Sequence, residues 1–176
     1  SYQILYMHAN WTYEDFFEEI KPTTKDGVLT FEPQDGFFID FIDQLKQYDP
    51  SARHLLVLDE INRCDTASVL GELLQLLEFR GATVRLLSGR PFVLPRNLFV
   101  IGTMNSADRT IGRMDLALRR RFLWLNLYPQ SEVLQTWLDR IGNNPVGFKS
   151  EALSKCNESL ESIGIAPEQH IGHALF

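Results

Sequence analysis

Apolar positions along this chain fall into short runs that alternate with stripes at helical spacing. Tyr2-Gln3-Ile4-Leu5-Tyr6-Met7 reads as a strand. Tyr13 to Ile20 reads as a short acidic helix or turn, stopped at Lys21-Pro22 because the residue before a proline is pushed out of the helical region. The Asp26-Gly27 turn signal makes Thr23 to Gln34 a small hairpin or loop around Val28-Leu29-Thr30-Phe31. Phe37, Phe38, Phe41, Ile42 and Leu45 recur at helical spacing and predict a helix from about Gly36 to Tyr48, ended by Asp49-Pro50-Ser51.

The next run, Leu55-Leu56-Val57-Leu58, is apolar throughout, the pattern of a strand buried on both faces. Val69, Leu70, Leu73, Leu74 and Leu77 then form one stripe of a helix over about Thr66 to Phe79, with Asp65 or Thr66 available as its cap. Thr83 to Leu87, the turn Ser88-Gly89-Arg90-Pro91 and Phe92-Val93-Leu94 read as an exposed hairpin. A second apolar strand covers Leu98 to Gly102, a short helix spans Met114 to Arg120, and Phe122 to Leu127 alternates enough to predict a strand closed by Pro129. Strands alternating with helices imply a parallel sheet in an α/β layer fold. After Tyr128-Pro129 the pattern becomes purely helical, at about Ser131 to Ile141 and Ser150 to Ile163, separated by Gly142-Asn143-Asn144-Pro145.

Composition narrows the class. With 176 residues, 44% of them hydrophobic, the chain has material for one sizeable core and a small appended subdomain. A net charge of -6 argues against a general binder of nucleic acid or anionic membrane. Cys64 and Cys156 stand far apart with no C-x-x-C, so neither a disulfide framework nor a zinc cluster is expected, and a cytoplasmic setting is. No apolar run approaches a membrane span. Ser1 to Asn10 lacks a secretory pattern and opens on a strand, which reads as a cut inside a domain.

The chemistry lies at strand ends. Asp59 and Glu60 follow the buried run Leu55 to Leu58, and two carboxylates beside a core call for a cationic partner. The usual one is a magnesium-bound nucleoside triphosphate, with Asp59 holding the metal or its water and Glu60 orienting or deprotonating the attacking water. Asn105 follows the second apolar strand, and neighbouring parallel strands bring their C-terminal ends to one crevice. A phosphate-cradling G-x-x-x-x-G-K-[ST] loop is missing, since no Gly in the sequence precedes Lys. The chain therefore reads either as a piece beginning after that loop, inactive alone, or as a module that has lost nucleotide binding. Arg119, Arg120 and Arg121 close a predicted helix, where they serve either a nucleotide phosphate or the helix dipole. With Arg109 and Arg113 they also admit reading as a nucleic-acid patch, which the acidic balance disfavours. His170 and His173 lie three apart without a third ligand nearby. The acidic Tyr13 to Ile20 stretch reads equally as a metal or partner site or as a solvated face over Phe16, Phe17 and Ile20, and the hairpin around Ser88-Gly89-Arg90-Pro91 reads as a structural turn.

The run Leu58-Asp59-Glu60-Ile61-Asn62-Arg63, Gly71-Glu72-Leu73-Leu74, Gly102-Thr103-Met104-Asn105-Ser106-Ala107-Asp108-Arg109-Thr110 and Ala117-Leu118-Arg119-Arg120-Arg121-Phe122 resemble the AAA+ motor domain of the McrB type. Tyr13-Glu14-Asp15-Phe16 with Lys21-Pro22, and Ile171-Gly172-His173, extend the resemblance over most of the chain. It implies a P-loop NTPase-like three-layer αβα sandwich with a parallel sheet over residues 1–128, lacking the phosphate loop, and a partial helical lid over 129–176. It also implies GTP or ATP hydrolysis with Mg²⁺. Asp59 and Glu60 would be the Walker B pair, with Asp59 toward the metal, and Asn105 the sensor of the terminal phosphate. Asp108 and Arg109 would be signature residues beside the site, and Arg119, Arg120 or Arg121 a finger reaching a neighbouring subunit. The implied partners are further copies in a hexameric ring and a nuclease subunit, with DNA contacted through other domains and no membrane. A chaperone-like ATPase of the MoxR or dynein-related branch, or a non-catalytic assembly module, are the alternatives.

Overall fold

A computed structural model describes residues 1–105, 116–141 and 150–172. Its first compact unit runs from Ser1 to Leu123 and the second from Trp124 onward. Three strands, β1 (Tyr2–Tyr6), β4 (His54–Asp59) and β7 (Leu98–Gly102), form the central sheet of the first unit in the order β1-β4-β7. Both pairings are parallel, with Leu58 opposite Leu5 on one side and Gly102 on the other. β4 is thus the inner strand, which is why its side chains are apolar on both faces.

The crossover from β1 to β4 carries α1 (Tyr13–Phe16), a hairpin of β2 (Glu18–Lys25) and β3 (Val28–Asp35), and α2 (Phe37–Leu45). Thr12 and Asp15 form a reciprocal capping box on α1, and Phe16 and Phe17 are fully buried. Phe16 stacks on Phe38 of α2 with ring centroids 5.0 Å apart, and Phe17 meets the same ring edge-on at 5.4 Å. Gly36, just before α2, lies against the α1 backbone: a Cβ there would stand 2.7 Å from the Phe16 carbonyl carbon. Only glycine allows that approach.

The crossover from β4 to β7 carries α3 (Thr66–Glu78) and the short hairpin of β5 (Thr83–Arg85) and β6 (Pro91–Val93). Leu70, Leu73 and Leu76 of α3 are completely buried. α4 (Leu116–Arg121) follows β7 and buries Leu118 in the same core. In the second unit, α5 (Ser131–Ile141) and α6 (Ser150–Ser162) pack around Leu134, Leu138 and Leu153. Asn157 of α6 bonds both to the carbonyl and to the N–H of Ile171.

Three expectations change. The acidic helix predicted over Tyr13 to Ile20 ends at Phe16, and the chain turns into β2, so the hairpin is longer than its turn residues alone indicate. Within that stretch Ile20 is exposed, while Glu18 is the buried side chain. The strand predicted over Phe122 to Leu127 does not form. Leu123, Leu125 and Leu127 are 100%, 80% and 86% exposed, and no described strand pairs with the segment. Alternation makes a strand only where a neighbour satisfies its backbone and covers one face.

Candidate functional site

The C-terminal ends of β4 and β7 lie side by side, and the sequence-predicted polar residues meet there. β4 ends in Asp59, and its carbonyl accepts the N–H of Met7 at 2.9 Å. Glu60 then adopts a left-handed backbone, φ 53° and ψ 47°, and a single 3-10 turn, Ile61–Arg63, leads to α3. A left-handed non-glycine residue costs about 1 kcal/mol or more and persists only where its surroundings hold it. Ile61 supplies one anchor by burial against Gly102, where an added Cβ would come within 3.2 Å of its Cδ1.

Thr103 supplies the other anchor. Its N–H donates to the Leu58 carbonyl at 3.0 Å, and its carbonyl accepts the Ile61 N–H at 2.9 Å. Its hydroxyl accepts the Glu60 N–H at 3.1 Å and donates to Asp59 Oδ1. Two residues on, the Asn105 carbonyl accepts from Asn62 Nδ2 at 3.4 Å. Asp59, Glu60 and Asn105 are thereby brought onto one pair of linked loops. Asn62 Oδ1 is buried there without a hydrogen-bond partner among the described residues.

Glu60 is ion-paired with Arg63 across the 3-10 turn, their side chains 35% and 52% exposed. At that exposure such a pair contributes no more than about 1 kcal/mol, so Glu60 is easily released to other work. Asp65 caps α3 by accepting from the Ser68 N–H, and the Ser68 bonds hold its carboxyl below the usual carboxylate range. Burial pushes the Cys64 thiol up to about 11. Among the described residues no group of three or more His, Cys, Asp or Glu could hold a metal ion by itself.

The arginines sit elsewhere. Arg119 and Arg120 are exposed on α4, and Arg121 is ion-paired with Glu78 at 2.7 Å. Glu78 ends α3, whose 13 residues rise over roughly 20 Å from the carboxylate end. Asp108 and Arg109, together with Arg113 and His173, lie outside the described residues. Arg90 is used within the fold, bonded to Asp35 and Glu18, and Arg85 donates to the Gly89 carbonyl at 3.0 Å. The role of Thr103 was not visible in sequence. A hydroxyl after a strand is common, and the residues it joins are more than forty positions away.

The AAA domain model of the dynein-related subfamily matches residues 1–122. The chain is 35% identical over 184 aligned positions to the Type IV methyl-directed restriction enzyme EcoKMcrB subunit of Escherichia coli K12, covering 96% of this chain and 39% of that protein. It is 29% identical over 176 positions to the Type II restriction enzyme BsuMI component YdiS of Bacillus subtilis, covering 84% of this chain and 50% of that one. The chain thus spans half or less of the length of these curated relatives. A solved structure from Cytophaga hutchinsonii aligns over 85% of this chain and 40% of its own at 16% identity, with a TM-score of 0.48. A parallel sheet flanked by helices, a carboxylate pair at the end of its inner strand and a family match over two thirds of the chain agree: this chain belongs to the AAA domain family of the dynein-related subfamily and is McrB-like within it.

Proposed function

We propose that this chain is the nucleotide-hydrolysing part of a restriction-system motor, splitting GTP or ATP with Mg²⁺. The observation that carries the reading is the placement of Asp59 and Glu60 beside Asn105, at the ends of adjacent parallel strands, with the Asp59 carboxylate and the Glu60 N–H tied to one neighbouring loop. The donor set suits a nucleotide and its magnesium. Thr103 occupies Asp59 Oδ1, and Oδ2 has no hydrogen-bond partner among the described residues. Asn62 Oδ1 is a further oxygen in want of a donor. Magnesium carried on phosphates needs only one or two protein carboxylates.

In this reading Asp59 holds the cation or its water shell, Glu60 leaves Arg63 to take a proton from the attacking water, and the Asn105 amide contacts the terminal phosphate. The bound metal neutralises charge that develops on the phosphates. Asp108 and Arg109 enter this reading as signature residues from the sequence alone. An arginine of the run Arg119, Arg120 and Arg121, which lies at the far end of α3 where Arg121 meets Glu78, reaches the nucleotide of a neighbouring copy. That distance supports a ring, with a hexamer as the expected closed form, in which each arginine serves another protomer's site. Residues 1–128 act as the α/β subdomain and 129–176 as part of a helical lid. The two restriction-enzyme relatives support a cytoplasmic setting, a nuclease subunit as partner, and DNA contact through other domains. No described helix is long and apolar enough to cross a membrane.

Glu60→Gln in the complete protein tests this. It keeps the shape and removes the base, so a fluorescent GTP or ATP analogue still binds with Mg²⁺ while turnover falls about 100-fold or more. Unchanged turnover overturns the proposal.

A further inference from the structure

The loop that carries Glu60 is held by a residue to which neither the motif nor the family match gives a task. Thr103 makes four hydrogen bonds to the four consecutive residues Leu58 to Ile61. Two are backbone bonds that any residue could make. The other two come from the hydroxyl, which has one proton and two lone pairs. Asp59 Oδ1, with no proton of its own when ionised, takes the hydroxyl proton, and the Glu60 N–H takes a lone pair, so the direction of both bonds is fixed.

The consequences reach both carboxylates. Accepting from Thr103 leaves Asp59 with Oδ2 as the oxygen open to a cation. Fixing the Glu60 N–H, together with the Ile61 N–H on the Thr103 carbonyl, sets the peptides on both sides of a left-handed residue. Those peptides decide where the Glu60 side chain leaves the backbone. A misplacement of about 1 Å at such a group costs on the order of 100-fold in rate. Through Met104, the same residue is chained to Asn105, whose carbonyl closes the circuit to Asn62.

We propose that Thr103 is the positioning residue of the hydrolytic site: its hydroxyl clamps Asp59 and the Glu60 amide into one unit and links them to the Asn105 loop. This rests on the reading of the site as a triphosphatase. Threonine is suited to the task because its methyl restricts χ1 and holds the hydroxyl in one direction.

The test uses the complete protein with four substitutions, Thr103→Val, Thr103→Cys, Thr103→Ser and Glu60→Gln. Turnover, analogue affinity and the Mg²⁺ concentration for half-maximal turnover are measured for each. Valine keeps the shape and loses both side-chain bonds, cysteine replaces a strong donor with a weak one, and serine keeps the hydroxyl. The expected result is turnover lowered roughly 10- to 100-fold for valine and cysteine, with analogue affinity within about threefold of wild type. The Mg²⁺ midpoint rises for both, and serine restores most of the rate. Wild-type turnover in Thr103→Val beside an inactive Glu60→Gln overturns the clamp and leaves the hydrolytic reading standing. Serine as slow as valine also overturns it. An active Glu60→Gln removes the reading on which the clamp depends.

Discussion

Two carboxylates of the first unit stand at the edges of the same core and are treated in opposite ways. Glu18 is completely buried, and both of its oxygens are hydrogen-bonded. Oε2 accepts the Ser88 N–H at 2.7 Å, and Oε1 accepts the Ser88 hydroxyl at 2.9 Å and Arg90 at 3.2 Å. Arg90 in turn holds Asp35, so the network ties the β5–β6 hairpin to the base of the β2–β3 hairpin. Glu60 is half-exposed, sits on a left-handed backbone, and has one ion pair that water weakens. A buried charge with both oxygens hydrogen-bonded is an anchor for the fold. A carboxylate held by its backbone, with its side chain loosely engaged, is free to do chemistry.

That contrast is broken most sharply by removing each charge in turn. Glu60→Gln changes turnover by about 100-fold or more and leaves the melting temperature within about 1 °C, because an exposed pair adds little to stability. Glu18→Gln does the reverse. It weakens bonds to a charged group and places an amide donor among donors, which costs about 2 kcal/mol and lowers the melting temperature by roughly 5 °C. Both effects are read from thermal unfolding and steady-state turnover on the same samples.

A smaller effect sharpens the comparison through a third acidic residue. Tyr13 donates to Glu72 Oε1 at 3.2 Å, and burial, with the Glu72 charge next, pushes its phenol well above the ordinary value. A raised acid favours the protonated form in the fold. Its contribution is therefore complete below the ordinary tyrosine pKa of about 10 and is lost as pH rises beyond it. Tyr13→Phe costs about 1 kcal/mol at neutral pH and flattens the alkaline fall in stability, as urea titrations from pH 8 to 11 will show. An unchanged alkaline slope counts against this assignment. The smallest effect is on the thiols. At pH 8 exposed Cys156 reacts with a thiol reagent at once, whereas buried Cys64, its thiol pushed up to about 11, reacts only as the fold opens. Equal rates contradict the burial of Cys64.

What the sequence made legible follows the same division. β4 was readable because an inner parallel strand is apolar throughout, β7 because it repeats that apolar run, and Asp59, Glu60 and Asn105 because they are the polar residues that follow. The α3 stripe and the Asp65 cap repeat at short range and were equally plain. Contacts between distant positions were not. Glu18 lies in an acidic run, and its partners are some seventy residues away. Thr103 binds across more than forty. Phe122 to Leu127 shows the converse failure, a strand pattern with no strand beside it among the described residues.

The claim that one carboxylate does chemistry while the other holds the fold is tested most directly by Mg²⁺-dependent turnover of the complete protein carrying Glu60→Gln or Glu18→Gln, expressed per folded molecule. The account predicts that Glu60→Gln is folded and idle, and that Glu18→Gln is less stable yet turns over at the wild-type rate below its melting transition. A Glu60→Gln protein that hydrolyses normally would contradict it.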